Sequence, residues 1–259
     1  MTRRKQEPRA FGGRADIDRA LSQKSDFAFE MAVLAKLDGF SVDRFTHRVE
    51  HSGTYTDPIT SKVRQYDIRY RGRIAGTRFS LAIECKNVRP ECPLVVHAVP
   101  RRPSEAFHDI VYYSKESSKR RWLNDPVCKR HEGIYTPYSP SAIVGKAIDQ
   151  VQVSGDEFTL GDSEVFEKWN QSVNSLTDLI IEGVQEADDM WLRVFLPVLV
   201  VPEERLWVAT YNEVGQRSEE ALQHSRVSFF LNRTWTCGWA NYLTYIPSLT
   251  LRSLLPQAC

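Results

Sequence analysis

The order of hydrophobic periodicities along the chain predicts an α/β domain. Three observations carry that expectation. A helical stripe through Phe27, Met31, Leu34 and Leu37 precedes a series of short strand-like runs bounded by Gly, Pro and Asp. A longer stripe follows at Val165, Phe166, Trp169, Val173, Leu176, Ile180 and Val184. Two buried-type strands, Val194 to Val201 and Leu206 to Tyr211, come after it. The resulting order α, β, β, β, insertion, α, α, β, β fits a central mixed sheet flanked by helices.

Taken in order, residues 1–24 read as a basic N-terminal arm with Arg3, Arg4, Lys5 and the pair Gly12-Gly13. Residues 25–259 then form the α/β domain. Ser25 is a good N-cap for the first helix, and Lys36 with Gly39 marks its end. Phe40 to Val49 reads as a strand, and Gly53 to Thr60, with Asp57-Pro58, as a turn. Val63 to Arg71 and Arg78 to Asn87 form a hairpin around Gly72 to Gly76. The irregular stretch from about residue 89 to 139 is too long for a bare connection and is expected to be an inserted segment with structure of its own. Pro140 suits the first turn of a helix reaching Val153, and Asp162 or Ser163 caps the long amphipathic helix. The stretch Arg226 to Leu231 and the aromatic-rich tail carry no clear period.

With 42% hydrophobic and 26% charged residues over 259 positions, the chain has globular composition, which excludes wholesale disorder. Its longest apolar run, Val194 to Val201, is far short of the roughly 20 residues a bilayer span needs, so no membrane association is expected. The basic start is followed by Pro8 and Arg9 instead of an apolar stretch, so no secretory signal is read. Five cysteines without a CxxC pair point to a reducing, cytoplasmic setting. The net charge of +1 hides a division: residues 1–139 hold 26 Lys and Arg against 17 Asp and Glu, and residues 140–259 hold 8 against 16. A basic half can attract phosphate backbones.

The second hairpin strand ends Leu81-Ala82-Ile83-Glu84-Cys85-Lys86. Side chains alternate along a strand, so Glu84 and Lys86 share one face and Cys85 takes the other. Buried charges are costly unless paired or bound to a metal. Asp67 stands on the preceding strand, 17 residues before Glu84, at a spacing that a hairpin can close. Two carboxylates with the Cys85 backbone carbonyl suit a hard cation, Mg²⁺ or in its place Mn²⁺. Such an ion polarises a phosphoryl oxygen and lowers the pKa of bound water, which Lys86 can hold or deprotonate.

Asp67, the Glu84-Cys85-Lys86 triplet at the end of an apolar strand, and Glu30 on an upstream helix resemble the PD-(D/E)xK nuclease superfamily. The resemblance covers residues 25–90 well and 140–211 by element order. It implies a restriction-endonuclease-like core and a metal-dependent nuclease, a DNA endonuclease ahead of an RNA one. By resemblance Asp67 and Glu84 hold the metal, Lys86 assists attack of water on a phosphodiester, and Glu30 joins the catalytic set. Tyr66 stands where the family has proline before the aspartate. Gln150 resembles a polar residue that some members place on the following helix. Arg101, Arg102, Arg120 and Arg121, among nearby tyrosines and Trp122, are the expected nucleic-acid grip, with a solvated loop carrying packed aromatics as the equal alternative. A homodimer or partner subunit could use the acidic C-terminal half.

Other readings stay open beside these. Glu84 and Lys86 as a surface ion pair would contribute only about 0–1 kcal/mol, and the apolar approach to them argues against it. Glu30 reads equally as a solvated helix residue, and Gln150 more often as a plain helix-surface glutamine. An inert module that keeps the fold and only binds nucleic acid or protein is the alternative function. His47 and His51 have HxxxH spacing but straddle a strand end, and no glutamate follows the first His. Cys85 faces the core side without a histidine partner, which disfavours a nucleophile.

Overall fold

The computed structural model of the protein describes residues 12–24, 26–39, 46–57, 59–74, 77–100, 109–114, 121–126, 143–161, 164–185, 192–218, 220–224, 227–237, 240–250 and 252–253. Helices α1 (Arg14–Lys24) and α2 (Asp26–Asp38) lead into β1 (Thr46–His51), β2 (Thr54–Thr56), β3 (Val63–Gln65), β4 (Ile68–Ile74) and β5 (Thr77–Cys85). Next come β6 (Leu94–Pro100), β7 (Asp109–Ser114), β8 (Arg121–Pro126), β9 (Ile143–Ser154) and β10 (Glu157–Gly161). Helix α3 (Glu164–Gln185) precedes β11 (Leu192–Val201), β12 (Leu206–Thr210), β13 (Leu222–Gln223), β14 (Ser228–Cys237), β15 (Ala240–Thr250) and β16 (Arg252–Ser253).

The first sheet runs β1-β4-β5-β11-β16, so β5 is its central strand. β1, β4 and β5 are antiparallel neighbours, whereas β11 lies parallel to β5. A parallel neighbour needs a long crossover, and α3 is its last element. The second sheet runs β13-β12-β6-β9-β14-β15, with β10 also on β9. β2–β3 and β7–β8 form two separate ribbons.

Alternation on β5 sends its residues to opposite helices. Ile83 and Cys85 pack with Val33 of α2, Ile68, Tyr70 and Val200. Ala82 joins Val165, Trp169, Val173, Leu176 and Leu179 of α3, and that core continues into the second sheet through Leu94, Val96 and Val208. Each Leu or Val buried this way stabilises by about 1.5–3 kcal/mol relative to exposure. The mixed sheet is thus covered by a helix on each face, as the sequence predicts. Among the described residues, no helix is long and apolar enough to cross a membrane.

Several sequence expectations are corrected. Within the basic N-terminal arm, for which no helix is expected, Arg14–Lys24 is a helix; Gly12 donates its amide to the Asp16 carboxylate at its start. The run from Val63 is two strands, β3 and β4, broken at Tyr66-Asp67, and the hairpin pairs as far as Ile74 with Thr77. The helix expected at residues 140–153 is strand β9. Its Val144, Ile148 and Val151 satisfy a helical period, but β6 offers a partner edge for a β-branched stretch and the tertiary environment decides. β6, expected inside an insertion, is a central strand of the second sheet. The end expected for α2 is observed, with Gly39 donating to the Ala35 carbonyl at 3.1 Å. Residues 1–11, the Ser25 cap, residues 40–45 and the Asp162-Ser163 cap lie outside the described residues.

Candidate functional site

The β4–β5 register pairs Ile68 with Ile83 and Arg69 with Ala82, so one further step sets Asp67 opposite Glu84. The break at Tyr66-Asp67 is fixed from both sides. Ser52 donates its amide to the Asp67 carbonyl and Tyr66 donates to the Gly53 carbonyl, each at 3.0 Å. A Cβ on Gly53 would collide with the Tyr66 ring, so a glycine is required there. The β2–β3 ribbon before the break is anchored by Asp57, only 1% exposed. Its carboxylate accepts from the Ile59 and Thr60 amides at 2.9 Å, from Asn174 of α3 at 3.0 Å and from Arg64 at 2.8 Å. Burial alone would raise the Asp57 carboxyl; the two amides, Asn174 and Arg64 together hold it below its ordinary value.

At the end of β5 the two carboxylates converge on one cation. Lys168 of α3 places its Nζ 3.0 Å from both Asp67 oxygens and 3.1 Å from Glu84 Oε2. The Cys85 amide donates to Asp67 Oδ2 at 2.7 Å, locking that carboxylate against the strand end. The Asp67 amide points to Glu84 Oε1 across 3.5 Å, a weak contact. The Glu84 side chain is 1% exposed, that of Asp67 11% and that of Lys168 23%, so the ammonium lies on the solvent side. Burial, then the Asp67 charge, pushes the Glu84 carboxyl well above its ordinary range, and Lys168 offsets this only in part. Burial would lower Lys168, but Glu84 and Asp67 outweigh it and hold the ammonium above its ordinary value.

Glu30 of α2 borders the same group. Its Oε1 lies 2.7 Å from His51 Nε2. Burial and the Asp67 charge raise the Glu30 carboxyl, with His51 and Lys168 acting in the opposite direction. Glu30 therefore shares the electrostatic neighbourhood of Asp67, and His51 is its partner there.

Lys86 is placed differently from its expected position. β5 ends at Cys85, and Val88 turns back to donate to the Lys86 carbonyl at 2.9 Å. Strand alternation no longer governs Lys86, whose ammonium meets Asp26 at the start of α2 at 3.1 Å. The Asp26 carboxylate also accepts the Asn87 amide at 3.0 Å. Cys85 contributes to the site through its amide, while its thiol lies in the α2-side core and is pushed up by burial and the surrounding carboxylates. Gln150 lies on β9 and donates to the Cys92 carbonyl at 2.9 Å. Arg101, Arg102 and Arg120 lie outside the described residues, and Arg121 opens β8.

Lys168 is the residue that strand reasoning overlooks. It is the sole basic residue of the 22-residue α3, and it sits near the N-terminal end, where the helix dipole disfavours a cation. A buried-type helix carrying its single cation at that end requires a nearby anion, and that was the available signal. Lys168 also begins a polar seam facing β4 and β5. Ser172 donates to the Ala82 carbonyl at 2.8 Å, and Ser175 accepts from Arg69. Asp178 pairs with Arg69 at 2.8 Å, and Glu182 pairs with Arg71. Arg69, 2% exposed, also stacks over Tyr66 with 4.2 Å to the ring centroid.

Two hard oxygen donors meeting at one point have the donor chemistry for Mg²⁺. The Lys168 ammonium presently sits between them, and among the described residues no three His, Cys, Asp or Glu side chains form a ready metal group. Asp67 and Glu84 are the residues that would hold the ion, with Glu30 beside them. Compared with known proteins, the chain matches no protein-family model, no curated protein and no solved structure.

Proposed function

We propose that the protein is a metal-dependent nuclease acting on DNA through the Asp67–Glu84 pair. The observation that carries this reading is the convergence of two buried carboxylates on a single cation at the end of the central strand. The antiparallel β1-β4-β5 unit with α3 before the parallel strand β11 supports the restriction-endonuclease-like core that this reading assumes. The excess of Lys and Arg in residues 1–139 supplies attraction for phosphates.

In this reading Asp67 and Glu84 hold Mg²⁺ or Mn²⁺, which when bound polarises a phosphoryl oxygen and lowers the pKa of water. The Cys85 amide fixes the orientation of Asp67. Lys168, on the open side, offsets negative charge developing on the phosphate. Glu30 adds negative charge beside Asp67 and draws the cation inward. Lys86, paired with Asp26, has a supporting role at the start of α2.

A second reading is favoured by one observation: Lys168 already occupies the position between the carboxylates, as it would in an inert module that only binds nucleic acid. The test is incubation of plasmid, linear and single-stranded DNA with Mg²⁺, Mn²⁺ or EDTA, for the native chain and for Asp67→Ala and Glu84→Ala. Cleavage that requires metal and disappears in both folded variants supports the nuclease. DNA retention without cleavage in any metal selects the inert module, and cleavage undiminished in both variants removes the site.

A further inference from the structure

We propose that Lys168 and a divalent cation exchange at the Asp67–Glu84 pair, the ammonium holding the carboxylates in the metal-free protein and withdrawing to the open side when the ion binds. This rests on the reading of the pair as a metal site. The carboxylates offer one shared position, and Nζ fills it at 3.0, 3.0 and 3.1 Å from three of their oxygens. An ion bound to the same oxygens at Mg²⁺ or Mn²⁺ distances of about 2 Å leaves no room for an ammonium between them. The exposures give the direction of departure. Glu84 and Asp67 are the inner members, at 1% and 11%, and Lys168 is the outer one, at 23%. The four-carbon stem near the start of α3 can reorient by rotamer changes without moving the helix.

Charge drives the exchange. Two carboxylates with one ammonium leave a net negative group, and a dication neutralises the pair and repels the ammonium. The displaced Lys168 then lies on the solvent side, from which a phosphodiester would approach, so metal binding and readiness for an anionic substrate become one event. The metal-free protein meanwhile avoids facing two unpaired buried carboxylates.

Two measurements test this. Calorimetric Mn²⁺ titration should show about tenfold tighter binding in Lys168→Met than in the native chain. Lys86→Met, whose side chain pairs with Asp26, should change affinity by less than roughly threefold. In the native chain, mass spectrometry after brief treatment with an amine-acylating reagent should show Lys168 modified more readily with Mn²⁺ present, measured against exposed Lys62 as the reference. Equal Mn²⁺ affinity in native chain and Lys168→Met overturns the exchange and leaves the metal site standing. Tighter binding without a rise in labelling also overturns it, since that result describes repulsion at a distance. Absence of Mn²⁺ binding in both proteins overturns the exchange together with the metal site. If Lys168→Met does not fold, the labelling of the native chain decides alone.

Discussion

Replacing Lys168 by Met should destabilise the protein at pH 8 by about 3 kcal/mol, and the loss should depend on pH. At an effective dielectric near 20, charges about 3 Å apart attract by roughly 5 kcal/mol, and Lys168 makes this contact with both Asp67 and Glu84. Most of that gain is offset by stripping water from the ammonium, at several kcal/mol per ion, which the variant no longer has to do. What remains is the cost of two buried carboxylates facing each other without a cation. The 23% exposure of Lys168 lets water reach the gap and keeps the estimate at the low end of the roughly 3–5 kcal/mol seen when a buried pair is broken. For a chain of this size the change corresponds to a fall in Tm of about 6–12 °C.

The sign of the pH dependence follows from Glu84. Its carboxyl is raised in the folded state above the ordinary 4.5, so its contribution to stability is full below that value and is lost as pH climbs through the raised one. Without the ammonium the Glu84 carboxyl rises further. Both chains lose stability in parallel until pH reaches the raised Glu84 value of the native chain, so the deficit of the variant should open as pH climbs through that value and close below it. Lys168, raised above 10.5 in the native chain, stays charged across this range and adds no transition of its own. Urea unfolding between pH 4 and 9 would measure both curves. Equal stability at pH 8, or a deficit of the same size at both ends, would refute the account of the cluster.

Three further outcomes are expected. Lys168→Met should reduce cleavage by about 10²-fold, and Lys86→Met, checked in the same plasmid assay, should reduce it much less; the opposite ranking would restore Lys86 to the role its position in the ExK triplet implies. Arg69→Met should cost about 2 kcal/mol in chemical denaturation, because it leaves Asp178 without its 2.8 Å partner and removes the stacking on Tyr66, and a loss below about 0.5 kcal/mol would contradict the seam described for α3. Charge reversal at Arg101, Arg102, Arg120 and Arg121 should weaken DNA binding and flatten its log–log salt dependence by about one unit for each lost phosphate contact, measured by fluorescence anisotropy; an unchanged slope would move the gripping surface elsewhere.

What the sequence reveals and what it conceals follow from the range of the interactions involved. The convergence of Asp67 and Glu84 was legible because a hairpin register is local: 17 residues and a short turn settle which side chains stand opposite. Most of the apolar stripe of α3 was legible for the same reason, with Val165, Trp169, Val173 and Leu176 buried, whereas Phe166 of that stripe is 54% exposed. Gly39 ended α2 as expected, since that signal too lies within one turn of the helix.

The misreadings come from partners distant in the sequence. β9 carries a pattern that suits a helix or a strand, and its pairing with β6, about 50 residues earlier, is what selects the strand. Lys86 was assigned by extending strand alternation one residue past the end of β5, where the turn at Asn87 and the carboxylate of Asp26, 60 residues upstream, take over. Lys168 lies 84 residues beyond Glu84, and no local spacing connects them. A charge argument does: a helix packed on the first sheet, with four acidic residues and a single lysine, can bury that lysine only against an anion. The anions that a strand pattern had already placed on β5 and beside β4 were then the natural candidates. The charges that each buried face must neutralise, taken together with strand and helix periods, thus connect Lys168 to Asp67 and Glu84 where spacing alone does not.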